Sequence, residues 1–401
     1  MVSLAVEVTL GVFCAYFLVS TIVYFFPAIL HKRKRSGALG RKGMTIAHRG
    51  GSCEFLENTM TAFRNAVKVG ADVIELDVQL TKDKKVVVCH DNNLERLTGE
   101  KKLINQTCYS DLPKITSPQM MIFPQECVVD HHDRQIPLLE EVFEEFPHTT
   151  INLDVKEQDA SLRTQVEFLI RKFGRENLTV WGSWHDSVCK QLFKLNPNIP
   201  LIMSMRKIVI HAFIFWTGLL PFIPIKETFY EPPACKAMFA NQDTTLTRKL
   251  VIYFVDFIVG NWLLIYHYKR RGIVCWCWIV NEQSHFKCCF DKFDGVMTDR
   301  ISALVQYVAS SEDLKNKQQT SMSRSCSYSC NMSRKMSSKE VLNGIAVGKE
   351  AKDNCPKSDV DRSGTKKWCS ITLQRRSSSS VCSATGDSAL NDSNNNTTYK
   401  L

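Results

Sequence analysis

Residues 73–78 have the sequence VIELDV, in which acidic and aliphatic residues alternate. A period of two is typical of a β-strand, and it places Glu75 and Asp77 on one face and aliphatic side chains on the other. In a barrel strand the carboxylates would point inward and the aliphatic residues would pack outward against helices. Because two adjacent inward carboxylates repel each other unless a cation compensates them, the stretch predicts a metal site. The alternative is a solvated strand end, which the aliphatic partners disfavour.

Short apolar segments alternate with helical patterns on both sides of this stretch, which is the signature of a parallel α/β architecture. Eight candidate strands within about 265 residues predict a TIM (β/α)8 barrel, whose usual size is about 250 residues. We assign residues 44–309 to this domain. The candidate strands are 45–47, 73–77, 151–155, 178–181, 201–204, 228–230, 273–279 and 295–297.

Residues 151–156, INLDVK, repeat the arrangement with one acidic and one basic residue. Asp154 and Lys156 share a strand face, and Lys156 stands nearer the carboxyl end, where barrel enzymes keep their chemistry. Asp154 is therefore a candidate third ligand beside Glu75 and Asp77. Carboxylate oxygens select a hard cation such as Mg²⁺ or Ca²⁺. Taken alone, an Asp-x-Lys pair would more often be an ordinary ion pair.

Two histidines end apolar runs near the acidic pair. His48 follows the first candidate strand and precedes Arg49 and two glycines, and His90 follows the apolar residues 86–89. An arginine offers a planar fork of donors to phosphate oxygens, and glycines let backbone approach an anion. Two imidazoles can divide the acid and base roles of phosphodiester cleavage. A lone histidine at a strand end is more often structural, but two beside a carboxylate pair predict a catalytic site.

An uncharged apolar stretch, 8–30, lies near the N-terminus and is long enough to cross a hydrocarbon core of about 30 Å. A cleaved signal peptide or a buried core helix are the alternatives. A signal peptide carries its positive charge before the apolar stretch, whereas here Glu7 precedes it and the basic cluster 31–35 follows. We therefore expect a transmembrane anchor at 4–30, a basic linker at 31–43, and a cytosolic catalytic domain by the positive-inside rule.

A second uncharged stretch, 208–225, lies between candidate strands five and six. It could span a membrane by length, but spanning there would leave two parts of one closed sheet on opposite sides. We expect an apolar insertion that dips into the membrane interface. The alternative is a buried barrel helix.

The rest of the composition limits the class of protein. Residues 310–401 are rich in Ser, Asn, Lys and Arg without a sustained period, which predicts a disordered tail. The net charge of +10 includes the linker and tail but no basic stripe through the middle, which suits an anionic membrane surface better than nucleic acid. The 16 cysteines form no CxxC pair, so we expect most of them to be reduced thiols rather than parts of a zinc site or a disulfide scaffold.

The chain resembles the glycerophosphodiester phosphodiesterase family, and within it the membrane-anchored animal branch that acts as lysophospholipase D. The resemblance covers roughly residues 44–305. Its family markers are HRG at 48–50, ENT at 57–59, ELD at 75–77, HD at 90–91, IPLLEE at 136–141, WIVN at 278–281 and TD at 298–299. The likeness to the branch lies in the N-terminal apolar stretch, LTVW at 178–181 and GLLPFIPI at 218–225.

The resemblance implies a TIM barrel and a role for each candidate side chain. The implied roles are His48 and His90 as acid and base, Glu75, Asp77 and Asp154 as ligands of one divalent cation, Arg49 and Lys156 as phosphate contacts, and Trp278 as the lining of the glycerol or headgroup side. Two departures stand out. Asp154 occupies a position where many soluble members carry Glu, and residues 300–301 are Arg-Ile where close relatives have Tyr-Pro.

The function that this predicts is hydrolysis of lysophospholipids to lysophosphatidic acid and a headgroup alcohol. The resemblance implies that the 2-hydroxyl of the substrate attacks first and gives a cyclic phosphate. Water-soluble glycerophosphodiesters are the alternative substrates, and an inactive barrel that binds lipid or tethers partners is the alternative class. We expect the chain in endoplasmic reticulum or perinuclear membranes; a luminal domain would instead open the sequons at Asn105, Asn177 and Asn396 to glycosylation.

Overall fold

The structure is a computed structural model that describes residues 2–34, 37–120, 127–240, 245–312 and 314. The helices of this part are α1 Val2–Phe25, α2 Met60–Val69, α3 Glu95–Thr98, α4 Leu139–Glu145, α5 Ala160–Lys172, α6 Asp186–Leu195, α7 Met205–Trp216, α8 Cys235–Met238, α9 Leu246–Val259, α10 Trp262–Arg270, α11 Gln283–Lys292 and α12 Ile301–Ser310. The strands are β1 Met44–Ala47, β2 Val73–Leu80, β3 Val86–Val88, β4 Gln119–Met120, β5 Val128–Val129, β6 Thr150–Val155, β7 Thr179–Gly182, β8 Phe229–Tyr230, β9 Val274–Cys277 and β10 Gly295–Thr298.

Parallel strands form a closed ring. The sheet order is β7-β6-β2-β1-β10-β9-β8, with the first and last strands of the chain paired through β1 and β10. Parallel bridges from Leu201 to Trp181 and from Ile202 to Phe229 close the gap between β7 and β8. The predicted eight-stranded barrel is therefore confirmed.

The fifth barrel strand is shorter than the predicted range 201–204. It is reduced to the bridging residues Leu201 and Ile202 because Ser204 already caps α7, its hydroxyl accepting from the amide of Lys207. A capping serine begins a helix and so ends the strand before it.

The segment between β2 and α4 contains strands that the sequence did not predict. β3 pairs antiparallel with β2, and β4 pairs antiparallel with β5. A second apolar cluster, which includes Leu56, Leu94, Ile104 and Ile136, fills this part of the molecule. β3 matters for the site because His90 follows it.

The first and last barrel helices pack together beside the closing strands. Thr59 caps the start of α2, where its side chain accepts from the amide of Ala62, and Gly70 caps the end in the left-handed conformation. α12 begins directly with Ile301, which is buried and lies so close to Gly51 that a Cβ there would be 2.8 Å from its Cγ2 atom. The Arg-Ile sequence thus starts the last helix without a proline.

The N-terminal apolar helix α1 packs against the barrel along its carboxyl half. The hydroxyls of Tyr16 and Ser20 donate to the carbonyls of Thr217 and Gly218, each at 2.6 Å, and the hydroxyl of Tyr24 donates to that of Leu263 at 2.8 Å. Most other side chains of α1 are exposed. Residues that follow α1 also contact the barrel, since His31 Nε2 lies 2.8 Å from the carbonyl of Pro221.

By length and composition, two helical stretches of the described chain could cross a membrane: Leu4–Phe25 and Leu246–Arg270. The first lies within residues 4–30, for which the sequence predicts an anchor. The second was not predicted, and it is divided into α9 and α10 at Asn261, whose side chain accepts from the amides of Leu263 and Leu264.

The stretch 208–225 forms most of α7 and a short turn after it. Ile208, His211 and Ala212 are buried against the barrel, as in an ordinary barrel helix. Phe213 and Trp216 on the outer side are about half exposed. Helix α7 therefore has a buried face, as a barrel helix does, and an exposed apolar face, as a segment at the membrane interface would have.

The expectations for the cysteines and for the C-terminal tail can be compared with the described residues only in part. The cysteines that the structure describes are free thiols, as expected. The tail predicted at 310–401 lies outside the described residues except for 310–312 and 314.

The contact between β7 and the short fifth strand gives a test of barrel packing. A Cβ added at Gly182 would lie 2.5 Å from the Cβ of Ile202. Gly182→Ala should therefore lower the free energy of unfolding by about 1–3 kcal/mol, measured by thermal unfolding in detergent. Gly11→Ala, where a Cβ meets nothing within 4 Å, is the control. Equal unfolding midpoints for the two variants would contradict the packing.

Candidate active site

The eight side chains predicted to form the site line one cavity of about 360 Å³. They come from separate elements but converge at the carboxyl end of the barrel. His48 follows β1, Lys156 follows β6 and Trp278 follows β9, and this end is where barrel enzymes place their chemistry. The lining side chains that were predicted are His48, Arg49, Glu75, Asp77, His90, Asp154, Lys156 and Trp278.

The carboxylates lie next to one another because of strand register. Asp77 on β2 is the direct partner of Asp154 on β6. Lys156 bridges them, with Nζ 2.8 Å from Asp77 Oδ1 and 2.6 Å from Asp154 Oδ2. Lys156 therefore forms the ion pair that is ordinary for an Asp-x-Lys motif, and it forms a second ion pair with Asp77.

Burial and neighbouring charges shift the pKa values of the two carboxyl groups of β2 in opposite directions. Burial raises the pKa of Glu75, and the negative charge of Asp77 raises it further. For Asp77, burial acts in the same direction, but the positive charges of Lys156 and Arg49 outweigh it and lower the pKa. Asp77 therefore holds its negative charge to lower pH than Glu75 does.

His48 is held by a carboxylate that sequence reasoning did not assign a role. Its Nδ1 donates to Asp299 Oδ1 at 2.6 Å, while Nε2 lies 4.0 Å from Glu75 Oε2. Asp299 is fixed in turn by the hydroxyl of Ser52 and by Asn281 Nδ2, which donates to Oδ2 at 2.7 Å. Burial acts to lower the pKa of His48, but the charges of Asp299 and Glu75 outweigh it and raise the pKa.

A signal for Asp299 was present in the sequence. It follows the last candidate strand as His48 follows the first, and a closed barrel must pair those two strands. The observed register places Ala47 opposite Thr298, so the two following side chains meet.

His90 has a similar partner. Its Nδ1 lies 2.6 Å from Asp91 Oδ1, and Asp91 accepts from Arg96 Nε at 2.5 Å. Arg96 also donates to both oxygens of Glu57, one of which accepts from Arg49 Nη1 at 3.0 Å. This network connects the loop of His90 with Arg49.

Arg49 is placed to present a donor to the cavity. Its backbone has φ of 50°, and its amide donates to Glu75 Oε2 at 2.8 Å. Its Nε atom is buried without a hydrogen-bond partner, although Asp77 Oδ2 lies 3.5 Å away. A buried donor without a partner is costly, and a phosphate oxygen in the cavity would satisfy it.

Glu231 adds a further carboxylate that the sequence analysis missed. It follows β8 and is buried, and Asn152 Nδ2 donates to its two oxygens at 3.0 and 3.2 Å. Burial raises the pKa of Glu231 to about 8, and the nearby charges of Glu75 and Asp154 act in the same direction. Its carbonyl accepts from Trp278 Nε1 at 2.8 Å, which fixes the indole at the cavity wall.

The donor chemistry of the cavity fits a hard cation. Among the described residues, no group of three His, Cys, Asp or Glu side chains has the geometry of a preformed metal site. Glu75, Asp77 and Asp154 nevertheless line one cavity, and Asp154 Oδ1 is buried without a hydrogen-bond partner. Carboxylate oxygens of this kind are the ligands that Mg²⁺ and Ca²⁺ take.

A family model, the glycerophosphoryl diester phosphodiesterase family, matches residues 48–303. The match begins at His48 and extends past Asp299, so it spans the residues of the cavity. The chain belongs to this family. This phosphodiesterase is accordingly a phosphoric diester hydrolase with a TIM-barrel fold.

Relatives and solved structures agree with this assignment. The human protein named lysophospholipase D GDPD1 is 39% identical over 304 residues, which cover 75% of this chain and 95% of the relative. Human lysophospholipase D GDPD3 is 32% identical over 298 residues, covering 73% and 93%. The glycerophosphoryl diester phosphodiesterase domain of a Mycobacterium tuberculosis protein shares the fold, with a TM-score of 0.51, 19% identity and coverage of 66% and 99%.

The pairing of His48 with Asp299 predicts a pKa change. Because the Asp299 charge helps raise the pKa of His48, Asp299→Asn should lower that pKa by about 1–3 pH units. The variant would then lose the proton of His48 at a lower pH than the parent. NMR titration of labelled histidines in chelator-treated protein measures this, with His132→Ala as a spectral control. An unchanged His48 titration would contradict the contact.

Proposed function

We propose that this phosphodiesterase is a metal-dependent lysophospholipase D. It would hydrolyse lysophosphatidylcholine, lysophosphatidylethanolamine and N-acyl forms of the latter to lysophosphatidic acid and a headgroup alcohol. The observation that carries the proposal is that one cavity is lined both by charged side chains, which we call the charged wall, and by apolar side chains, which we call the apolar wall. The names of the two human relatives, which match over more than nine-tenths of their length, support it.

The two walls suit the two ends of a lysolipid. The charged wall carries the histidines, the carboxylates, Arg49 and Lys156. The apolar wall includes Met203, Met205 and Ile208 beside α7, and Met238 from α8. A phosphodiester needs cationic donors, whereas an acyl chain needs an apolar surface. A deacylated glycerophosphodiester would use only the first wall.

The histidines are suited to move protons at the phosphodiester. In each, a carboxylate accepts from Nδ1, which leaves Nε2 as the atom that takes or gives a proton. We assign one imidazole to accept the proton of the attacking oxygen and the other to protonate the leaving oxygen. Arg49 would hold a phosphoryl oxygen through its unpartnered donor.

Glu75, Asp77 and Asp154 would hold the divalent cation, Mg²⁺ or Ca²⁺. When bound, such an ion neutralises charge on the phosphoryl group and orients the reacting oxygen. Lys156, which lies between Asp77 and Asp154, would then also face the phosphate, and Trp278 would line the glycerol or headgroup side.

Membrane association is part of the proposal. Residues 4–30 would be the anchor, 31–43 the basic linker on the cytosolic side, and 208–225 an interface segment of the catalytic domain 44–309, in endoplasmic reticulum or perinuclear membranes. The exposed apolar side chains of α1 and the outer side of α7 support this. Tyr16 and Ser20, in the carboxyl half of α1, contact residues 217 and 218, so a membrane-spanning α1 would carry that segment to the depth of the leaflet.

The two alternative functions leave parts of the cavity unexplained. A soluble glycerophosphodiester substrate would leave the apolar wall without a purpose. A lipid-binding or tethering barrel without activity would not need both histidine–carboxylate pairs.

Substrate choice is tested by turnover on matched lipids. Purified full-length protein should hydrolyse lysophosphatidylcholine at least tenfold faster, by kcat/KM, than glycerophosphocholine, because only the former contacts the apolar wall. Released choline is the readout. A substrate with its 2-hydroxyl blocked should react slowly if that hydroxyl attacks first. Faster turnover of glycerophosphocholine would favour the soluble-substrate alternative.

Removing either imidazole tests the acid and base roles. His48→Ala and His90→Ala should each lower kcat by at least about 10²-fold while the unfolding temperature changes little. His132→Ala, an exposed histidine outside the cavity, should retain activity. Parent-like rates in the two cavity variants would refute the assignment.

Cation binding can be measured apart from activity. Asp154→Asn should weaken Mg²⁺ or Ca²⁺ binding at least tenfold in calorimetry, because it removes a charged ligand. Glu144→Gln, on the exposed side of α4, should bind the ion as the parent does. If Asp154→Asn also binds like the parent, Asp154 is not a ligand.

A further inference from the structure

The outer surface of α9 is unusual for a helix that faces water. Leu250, Tyr253, Phe254 and Phe257 are each more than half exposed, and in the described helix only Val259 is buried. A surface helix of a soluble barrel normally carries charged residues on this side. The large apolar side chains of α9 therefore lack the cover that they would need in water.

This surface continues onto α7. Trp216 stacks on Phe257 with ring centroids 5.4 Å apart, and Phe213 on α7 is also exposed. Contiguous apolar patches of this kind mark contact with a protein or a membrane. We call the exposed apolar residues of α7 and α9 the α7–α9 face; they are Val209, Ile210, Phe213, Trp216, Leu246, Leu250, Val251, Tyr253, Phe254 and Phe257.

The apolar helix α1 continues the face on its other side. Tyr24 lies 6.1 Å from Phe215 between ring centroids, and Tyr16 donates to the carbonyl of Thr217 at the end of α7. α1 is itself long and apolar enough to cross a bilayer. A surface continuous with such a helix meets the same leaflet.

Basic residues border the surface. Arg248 and Lys249 lie in the first turn of α9. At the end of α10, Arg270 Nη2 donates to the carbonyl of Phe25 at 2.9 Å, beside the end of α1. Basic residues at the rim of an apolar surface suit the anionic headgroups of a leaflet. The rim chemistry favours a bilayer over a second protein.

Helix α7, and α8 beside α9, also contribute apolar side chains to the cavity. Ile208 from α7 and Met238 from α8, which packs against α9, line it. An outer face in the leaflet would therefore place the cavity wall next to the acyl chains. This is the geometry that an enzyme needs to take up a lipid without exposing its chain to water.

We propose that the α7–α9 face docks the barrel onto a bilayer leaflet, as a second attachment besides α1, and delivers the lipid to the cavity. This deepens the proposed function and rests on it. The occupant is a lipid leaflet. α1 holds the chain at the membrane, and the α7–α9 face sets the orientation of the barrel on it.

The first experiment compares charge insertions in the full-length chain reconstituted in vesicles of phosphatidylcholine with phosphatidylserine. Phe254→Glu should lower turnover of vesicle-borne lysophosphatidylcholine at least tenfold and leave turnover of dissolved glycerophosphocholine within twofold. The matched control is Phe168→Glu on α5, where the side chain is 57% exposed against 58% for Phe254. The control should leave both rates unchanged. A Phe254→Glu variant that behaves like Phe168→Glu would overturn the proposal.

The second experiment needs no activity, so it separates failure of docking from failure of the proposed function. A phosphatidylcholine with a photoactivatable acyl chain is crosslinked to the unaltered protein, and the labelled peptides are mapped by mass spectrometry. Label should appear in α9 and not in α5. Unlabelled α9, or label in α5 to the same extent as in α9, would refute docking. Labelled α9 in a protein that turns over neither substrate would refute only the lysophospholipase D activity.

Discussion

Two carboxylates buried side by side on β2 impose the main electrostatic constraint on this barrel. Glu75 and Asp77 are both nearly inaccessible to water, and burying unpaired charge costs several kcal/mol per ion. Lys156 and Arg49 provide part of the compensation, and each comes from the residues that follow a neighbouring strand. The pairing of β2 with β1 and β6 therefore also brings the counter-charges to the two carboxylates.

The two histidines are oriented in the same way, each by a neighbouring carboxylate. Each has Nδ1 paired with a carboxylate that other side chains fix, Asp299 through Ser52 and Asn281, and Asp91 through Arg96. A fixed carboxylate sets both the tautomer and the ring orientation. The site is thus held in its working geometry by packing and hydrogen bonds before a substrate arrives, which lowers the cost of reorganisation during the reaction.

The polar and apolar parts of the cavity have different structural origins. Several charged residues lie on or directly after β1, β2 and β6, whereas α7 and α8 contribute the apolar side chains of Met205, Ile208 and Met238. The exposed outer sides of α7 and α9 are apolar as well.

The sequence by itself determined the barrel class, the approximate positions of eight strands and eight of the residues that line the cavity, because a period of two and strand-end polar residues are local signals. VIELDV is enough to put Glu75 and Asp77 on one face. The same local reasoning missed α9, whose hydrophobic pattern says nothing about which side packs and which stays exposed. It also overextended the fifth strand, where the cap at Ser204 ends the pairing.

Only the tertiary structure decided which charges meet. Asp299 reaches His48 across 251 residues of chain because β10 pairs with β1. Glu231 meets Asn152 from another strand, and Glu57 joins Arg96 to Arg49. These partners depend on sheet register and loop position, which are set by the closure of the whole barrel. A local pattern specifies the face of a side chain, but the neighbour across that face is fixed by the fold.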